Sequence, residues 1–598
     1  MNPLIEKTIS CFPFVQTVRE YKKEWFRSDF VSGLTVALME IPQSIAYAMV
    51  AGLPPIYGIY SSFVVAMVYS LMGSSHHVVC GTTNAISLVV ASTMINSNLP
   101  VARENPAALV GLLTLMVGIL QVAFGFLKIG NLSQFISRSV LIGFTAGAGV
   151  LIALNQLAPF FGIQLPKTPN MVELFTQTVC HLSETNGYAV GIALWTVAII
   201  SLGSRFFPRI PSPLLAVVSS AFAVYIFDLE SKGVSLVGNI PASLPPFTLP
   251  LFDLTAFASL ASSAIAIALL ACIQSVSVSK SISMSTGQRI NNNQDFIGLG
   301  LAHTVGAFFL CMPSCGSFTR SALNLHAGAR TRFSAFFSAS WVAVILLVLA
   351  PSARYIPVPT LAALLIVMSA SMVKWKHIQV AVHATRSDAI VLIVTFICVL
   401  VLHLETAIFI GIMASLALFL RKASAPHLVE YDIDEGGMHE ITEPGKRSNP
   451  GISIIHVEGE LFFGAADLFE EEVRRLAADS SIRVVILRMK RARHLDATAV
   501  MALDTLLDYL RKTGRLLLIS GATPELMRVI TKSGLGKNIG DENIFPAEEN
   551  LTVATRKALL RAKQFIGGSS SEMDIRIFYP QNESKETTET NGAYDYAI

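Results

Sequence analysis

Long apolar stretches separated by short polar connections occupy the chain up to about residue 425. From Ile41 through Ala102 there is no Asp, Glu, Lys or Arg, and further charge-free runs cover 105–127, 254–279, 296–319, 333–353 and 355–373. A helix needs about 20 apolar residues to cross the roughly 30 Å hydrocarbon layer of a bilayer. The pattern therefore predicts a polytopic α-helical membrane protein.

Turns between the apolar stretches divide this region into fourteen predicted spans, in two halves of seven. The spans lie near 30–50, 55–72, 80–97, 107–127, 139–159, 188–203, 212–228, 254–279, 296–311, 316–328, 333–350, 358–372, 388–404 and 406–420. The charged segment before Phe30 lacks the features of a cleavable signal peptide. We therefore expect a cytoplasmic amino-terminal segment over 1–29 and a membrane domain over 30–425.

Basic residues are distributed unequally between the two sides of the predicted membrane domain. With the amino terminus inside, four basic residues fall in outer connections, namely Arg103, Lys167, Lys232 and Arg354. Thirteen fall in inner connections, namely Lys128, Arg138, Arg205, Arg209, Lys280, Arg289, Arg330, Arg332, Lys374, Lys376, Arg386, Arg421 and Lys422. This excess follows the positive-inside rule and predicts that both termini are cytoplasmic.

The pattern changes after residue 425, where charged residues become frequent. Short apolar runs at 452–457, 483–488 and 515–520 predict strands, and the segments 466–477, 497–511 and 523–533 predict helices. This order predicts a small α/β domain over 426–565. The polar composition from 566 to 598 predicts a disordered tail.

Composition narrows the functional classes. Hydrophobic residues make up 52% of the chain and charged residues only 14%, with a net charge of +3. We therefore expect no nucleic-acid partner, because such proteins carry a strong basic footprint. Cys311 and Cys315 lack the further ligands of a metal site, and no nucleophile and base pair indicates an enzyme. We accordingly predict no catalytic residue, no metal and no resident cofactor.

Two of the predicted spans are interrupted by polar residues and glycine. They are the third and the tenth, preceded or crossed by the segments 72–84 and 311–324, and they occupy matching positions in the two halves. Paired interruptions of this kind indicate a transporter site built from inverted repeats. Helices that start in mid-membrane near Thr83 and Thr319 expose N–H groups that can donate hydrogen bonds to an anion, and Arg320 adds positive charge.

The chain resembles the sulfate permease (SulP) family of anion transporters, to which the mammalian hearing protein prestin also belongs. The matching stretches are DFVSGLTVALMEIPQSIAYAMVAGLPPIYGIY at 29–60, GFTAGAGVLIALNQL at 143–157, GSFTRSALNLHAGAR at 316–330 and ETAIFIGIMASLALFLRKASAP at 405–426. Residues 452–565 resemble the STAS domain, including VVILRMKRARHLDATAVMAL. Together these stretches cover nearly the whole chain.

The resemblance implies a seven-plus-seven inverted repeat with a core domain and a gate domain, a homodimer, and an anion held between the third and tenth spans. The site residues that it implies are Gln43, Tyr47, Thr82, Thr83, Thr319 and Arg320. From the residues alone, helix packing is favoured for Gln43 and Tyr47. For Arg320 an anion-binding role is favoured, and the alternative is a charge that snorkels or balances a buried acid.

Several positions depart from the family pattern or have an open role. Gln274 stands where many members of the family have a Glu. Since Gln cannot titrate, anion exchange, coupling to a cation such as Na⁺, or uncoupled anion movement is favoured over proton coupling. Glu40 could pair with a basic residue, bind a cation or face a polar crevice. Thr82 replaces a common Pro, and His403 replaces a common Asp. Thr498 resembles the phosphorylated position of anti-sigma-factor antagonists and is a candidate regulatory residue.

These observations predict a secondary active transporter in a bacterial inner membrane. The expected substrates are small inorganic or carboxylate anions, namely sulfate, bicarbonate, chloride or a dicarboxylate, and H⁺ or Na⁺ remains a possible coupling ion. The alternatives are an anion channel or voltage-responsive membrane protein, and a nucleobase permease of the same fold. A nucleobase would require a carboxylate partner, which Gln274 does not provide.

Overall fold

The structure is a computed structural model that describes residues 13–96, 105–130, 137–165, 171–206, 212–250, 253–424, 427–434, 437–441, 451–549 and 553–567. The chain divides into two compact units, Met1–Leu416 and Ala417–Ile598. Apart from residues 566 and 567, the tail predicted to be disordered lies outside the described residues.

The first unit is almost wholly helical, and each of the fourteen predicted spans coincides with a helix. In chain order the elements are α1 (Pro13–Glu20), α2 (Lys23–Val50), α3 (Pro55–Met72), β1 (Cys80–Gly81), α4 (Asn84–Asn96), α5 (Pro106–Phe126), α6 (Arg138–Asn155), α7 (Leu157–Phe161), α8 (Met171–Cys180), α9 (Gly187–Phe206), α10 (Ser212–Phe227), α11 (Leu254–Thr286), α12 (Asn292–Ala307), β2 (Cys315–Gly316), α13 (Phe318–His326), α14 (Phe333–Ala353), α15 (Val358–Met372), α16 (Trp375–Ala384), α17 (Arg386–Val401) and α18 (Leu404–Ala423).

The lengths of these helices fit a membrane protein. Within the part of the chain that the structure describes, eight helices are long and apolar enough to cross a bilayer, and α4, α9 and α10 are shorter apolar helices. The helix α13 has only nine residues, which at 1.5 Å per residue cannot cross the hydrocarbon. The polytopic helical fold is therefore confirmed, whereas the count of fourteen crossings stays a prediction.

The helices pack reciprocally, as an inverted repeat requires. The fourth span, α5, packs against α11 and α12, which begin the second half, and the eleventh span, α14, packs against α2 and α3, which begin the first half. These helices, with α4 and α13, form a core group. In a second set, α6 packs against α17, and α9 packs against α10 and α15. Gly411 of α18 lies against Thr395 of α17. We call α6, α9, α10, α15, α17 and α18 the gate group.

The second unit is an α/β domain. Its remaining elements are β3 (His427–Asp434), β4 (Gly437–Glu440), β5 (Ile452–Glu460), α19 (Phe463–Leu476), β6 (Val484–Arg493), α20 (Ala497–Lys512), β7 (Leu516–Ala522), α21 (Pro524–Lys532), α22 (Leu535–Ile539), β8 (Ile544–Pro546) and α23 (Val553–Ile566). The sheet has the order β4-β3-β5-β6-β7-β8. The strands β5 to β8 are parallel, and β3 is antiparallel to both neighbours.

The three strands and three helices predicted for this unit are confirmed, and β3, β4, α22, β8 and α23 were not predicted. The buried parallel strands read as continuous apolar runs, which makes them visible in a sequence. The strand β3 interleaves Glu430, Asp432 and Asp434 with apolar residues, and the edge strand β4 has only four residues, so both lack that signal. Asp496 precedes α20, and its side chain accepts a hydrogen bond from Ala499 N at 2.9 Å, as expected of an N-cap.

Candidate functional site

The two interrupted spans meet in a short antiparallel strand pair. Cys80 of β1 is paired with Gly316 of β2, and Gly81 with Cys315. All four residues are buried. The helix α4 begins at Asn84, three residues after β1, and α13 begins two residues after β2. The structure therefore brings two helix starts together within the first unit.

The starts of α4 and α13 are electropositive for reasons of backbone chemistry. The first N–H groups of any helix lack partners within the helix, and the aligned peptide dipoles place about half a positive charge there. The start of α13 is only weakly capped, because the Ser317 hydroxyl accepts from Arg320 N at 3.4 Å. Two such starts side by side form a suitable environment for an anion.

Arg320 is held by two acceptors in the interior of the unit. Its Nη1 forms an ion pair with Glu40 of α2, and its Nη2 donates to the main-chain carbonyl of Thr82. Neither member of the ion pair is exposed. The arginine is therefore balanced by a buried acid, and the pair as a whole adds no net charge. The positive potential of the site comes from the helix starts.

The ion pair requires glycine at position 81. A Cβ atom built on Gly81 would overlap Arg320 Nη1 and lie 2.5 Å from Glu40 Oε1. Gly81 thus allows the guanidinium to approach the β1 backbone and to reach the carbonyl of the next residue, Thr82. The sequence indicated that the third span is interrupted near this glycine, and the structure gives a steric reason for the glycine itself.

A network of side chains positions α13 and β2. The Asn324 amide oxygen accepts from Ser32 and Ser334 at 2.8 Å each, and its Nδ2 donates to the His77 carbonyl at 3.1 Å. The Ser321 hydroxyl accepts from Val79 N at 3.0 Å. These contacts tie α13 to α2, to α14 and to the segment before β1. The position of the helix start is therefore fixed by buried hydrogen bonds.

One face of α2 points towards this region. Glu40, Gln43 and Tyr47 are spaced by three and four residues, so they lie on the same side of the helix. Gln43 is 1% exposed, and neither its Nε2 nor its Oε1 has a hydrogen-bond partner within the described residues. A buried amide without partners is costly, and such groups call for an explanation such as a ligand. The hydroxyl of Tyr47 donates to Met368 Sδ at 3.6 Å.

The other predicted site residues differ in their contacts and in their exposure. Thr83 Oγ1 is 3.1 Å from Cys315 Sγ, whereas Thr319 is exposed and its Oγ1 is 3.2 Å from Ser317 Oγ. Gln274 is half-buried in α11, next to Ser275, whose hydroxyl accepts from Gly316 N at 2.8 Å. Thr498 is exposed in the second unit and lies apart from these residues in the chain.

Several features of the site were not predicted. The same dipeptide, Cys-Gly, forms both β1 and β2, and this repeat at matching positions is a signal that could have indicated their pairing. The partner of Arg320 could not be read from the sequence, because Glu40 lies 280 positions away. Within the described ranges, no group of three or more His, Cys, Asp or Glu residues could hold a metal ion.

The reciprocal helix packing and the paired helix starts define a polytopic membrane protein of the inverted-repeat transporter type, with an α/β domain at its carboxyl end. The sulfate permease family model matches residues 26–395, and the STAS domain model matches residues 443–551. The chain therefore belongs to the sulfate permease family, and its carboxy-terminal unit contains a STAS domain.

Curated relatives agree with this assignment, and solved structures share the fold. Sulfate transporter 4.1 of Arabidopsis thaliana is 29% identical, over 91% of this chain and 82% of its own, and YvdB of Bacillus subtilis is 27% identical, over 89% and 98%. The structure of the murine anion transporter SLC26A9 in the inward-facing state has a TM-score of 0.85 at 20% identity, covering 94% of this chain and 95% of its own. The transmembrane domain of the cyanobacterial bicarbonate transporter BicA has a TM-score of 0.58 at 24% identity, covering 66% and 98%. The two solved structures show the shared fold.

Proposed function

We propose that the protein is a secondary active transporter that binds a small anion between the starts of α4 and α13 and carries it by alternating access. The observation that supports this most strongly is the β1–β2 pair, which sets two electropositive helix starts side by side. The amide of Gln43 and the hydroxyls of Thr82 and Thr83 supply further donors for the anion. A water-excluding site strengthens each of these interactions.

The charge balance favours an anion over a neutral nucleobase. A base would use a carboxylate as hydrogen-bond partner, but the Glu40 carboxylate is already paired with the Arg320 guanidinium through Oε1. The main-chain N–H groups at the helix starts are donors, and the hydroxyls of Thr82 and Thr83 can donate as well, which suits an oxyanion or a halide. The names of the relatives and of the cyanobacterial neighbour add support for sulfate and bicarbonate, and chloride and a dicarboxylate complete the set to be tested.

Coupling and assembly are part of the same proposal. Gln274 cannot exchange a proton, so anion exchange or coupling to Na⁺ is favoured over a proton relay at this position. The thirteen-to-four excess of basic residues supports cytoplasmic termini in a bacterial inner membrane. We assign to the STAS domain a role in homodimer formation or control, with Thr498 as its candidate regulatory residue.

Uptake into liposomes tests the proposal. The purified protein is reconstituted and supplied with radiolabelled sulfate, bicarbonate, chloride and succinate, with and without gradients of Na⁺ and pH. We expect uptake of at least one anion that saturates with concentration, and a loss of about tenfold or more in Gln43→Leu, which removes a buried donor. Gln379→Leu is the matched control, because Gln379 is exposed on α16.

Two results would contradict the proposal. Uptake of none of the four anions by the wild type would exclude anion transport under these conditions. Unitary currents far above carrier turnover in planar bilayers would instead identify an anion channel. Equal uptake by Gln43→Leu and wild type would remove Gln43 from the site.

A further inference from the structure

Two methionine sulfurs of α15 accept hydrogen bonds from the site side of the core group. Tyr47 of α2 donates from its hydroxyl to Met368 Sδ at 3.6 Å, and Asn84 donates from Nδ2 to Met372 Sδ at 3.3 Å. Both donors are buried, with 4% and 5% of their surfaces exposed. The two methionines are four residues apart, so they lie on the same face of α15.

These contacts join the core group to the gate group at the candidate site itself. Asn84 is the first residue of α4, and Tyr47 shares a helix face with Gln43. The helix that carries the sulfurs is packed closely on α6, where a Cβ atom on Gly149 would lie 3.0 Å from the Ser369 carbonyl oxygen. The two sulfur contacts therefore involve a helix that is packed against other helices of the gate group.

In each of the two contacts a strong donor is paired with a weak acceptor. A phenol O–H and an amide N–H are full-strength donors, whereas a thioether sulfur is a weak acceptor. Anionic oxygen and halide are much stronger acceptors, and hydrogen bonds to them are about twice as strong as neutral ones. Buried donors held by weak acceptors therefore gain when an anion replaces those acceptors.

A further contact between the groups shows what distinguishes this pair. The Ser92 hydroxyl donates to Glu405 Oε2 at 3.3 Å, about two turns further along α4. Its acceptor is a carboxylate. Because a carboxylate is already a strong acceptor, an anion that replaced it would form no stronger hydrogen bond. At the candidate site, by contrast, the phenol of Tyr47 and the amide of Asn84 donate to thioether sulfurs, which are weak acceptors.

We propose that Met368 and Met372 are displaceable acceptors that hold the gate group against the anion-free site. An incoming anion takes over the hydroxyl of Tyr47 and the amide of Asn84, and the contacts between α15 and the core group are released. Anion binding and movement of the gate group are linked in this way. The inference rests on the proposed function and assigns a positioning role to two residues that do not themselves bind the anion.

Binding measurements on the full-length protein in detergent test the proposal. Met368→Leu and Met372→Leu keep the apolar volume, a change that cores tolerate, and remove the competing acceptor. We expect each to bind radiolabelled sulfate, bicarbonate or chloride about two- to fivefold more tightly, as the loss of one weak competing hydrogen bond implies. Met372→Gln supplies a stronger acceptor and should bind the same anion more weakly. Met413→Leu is the control, since Met413 is 63% exposed on α18.

A double-mutant cycle separates this role from packing. In a Tyr47→Phe background the donor is absent, so adding Met368→Leu should leave anion affinity unchanged. An equal shift in both backgrounds, or unchanged affinity in the wild-type background, would overturn the role of the methionines while leaving the proposed function standing. Failure of the wild type to bind all three anions would instead overturn the proposed function, and the inference with it.

Discussion

Glu40 and Arg320 form an ion pair in which neither side chain is exposed, and it joins the first long helix to the start of the short helix α13. Arg320 also donates to the Thr82 carbonyl next to β1. A single guanidinium therefore links α2, β1 and α13, the three elements that surround the candidate anion site. These contacts connect α2 with the segment between β1 and α4 and with the start of α13.

The ion pair predicts an unusual pattern of stability. Glu40→Gln and Arg320→Gln each leave one buried charge without its partner, which costs about 3–5 kcal/mol. The double variant carries no unpaired charge, so its thermal-unfolding midpoint should lie closer to wild type than that of either single variant. Thermal unfolding of the detergent-purified proteins, followed by tryptophan fluorescence, measures this. Additive losses in the double variant would show that the two side chains are not energetically coupled.

Gly81 and Gly316 occupy matching positions in the strand pair, but we expect their substitution by alanine to reduce anion uptake by different amounts. A Cβ on Gly81 overlaps the buried guanidinium, whereas one on Gly316 lies 3.1 Å from Ser275 Cα. Forced overpacking in a core costs about 1–3 kcal/mol. Gly81→Ala should reduce uptake about tenfold or more and Gly316→Ala less. Uptake by the two variants, each normalised to protein recovered in the liposomes, compares them, and a larger loss in Gly316→Ala would contradict the steric account.

We expect the substitution of Gln43 to have opposite effects on protein stability and on anion binding. Its buried amide has no hydrogen-bond partner in the described part of the chain, and leaving such a group unsatisfied costs about 1–3 kcal/mol. Gln43→Leu should therefore raise the unfolding midpoint in anion-free buffer while weakening anion binding. Thermal unfolding with and without added anion measures both effects. A variant that is destabilised in anion-free buffer would indicate that the amide has a structural partner.

His456 makes the STAS domain sensitive to acid. Burial and the neighbouring Arg488, whose Nη1 lies 3.2 Å from His456 Nδ1, lower the pKa of His456. The unfolded chain, with a His pKa of about 6.5, then gains a proton that the folded domain does not. The contribution of His456 to the free energy of unfolding is therefore fully present above about pH 6.5, and it decreases as the pH falls below that value.

The variant His456→Gln should reduce this dependence. Urea unfolding of the fragment 417–598, a compact unit with its own apolar cores, is compared at about pH 7.5 and pH 5.5. The wild-type fragment should lose more stability between the two values than the variant. Equal losses would mean that other groups account for the acid sensitivity.

The long apolar helices and the parallel strands could be predicted because each is encoded locally, by hydropathy or by continuous apolar runs. The interrupted third and tenth spans could also be located, since Gly, Pro and Arg320 break the apolar pattern. The side-chain partners of the site residues could not be predicted. The pairing of Glu40 with Arg320, and of Tyr47 with Met368, joins residues hundreds of positions apart, and no periodicity within either segment specifies the partner.

The central claim is that an anion binds between the starts of α4 and α13. Anomalous diffraction from crystals grown with selenate or bromide locates a bound anion directly. We expect an anomalous peak within hydrogen-bonding distance of main-chain N–H groups at both helix starts and close to the Gln43 amide. A reproducible peak elsewhere in the membrane unit, with none at the helix starts, would contradict the account.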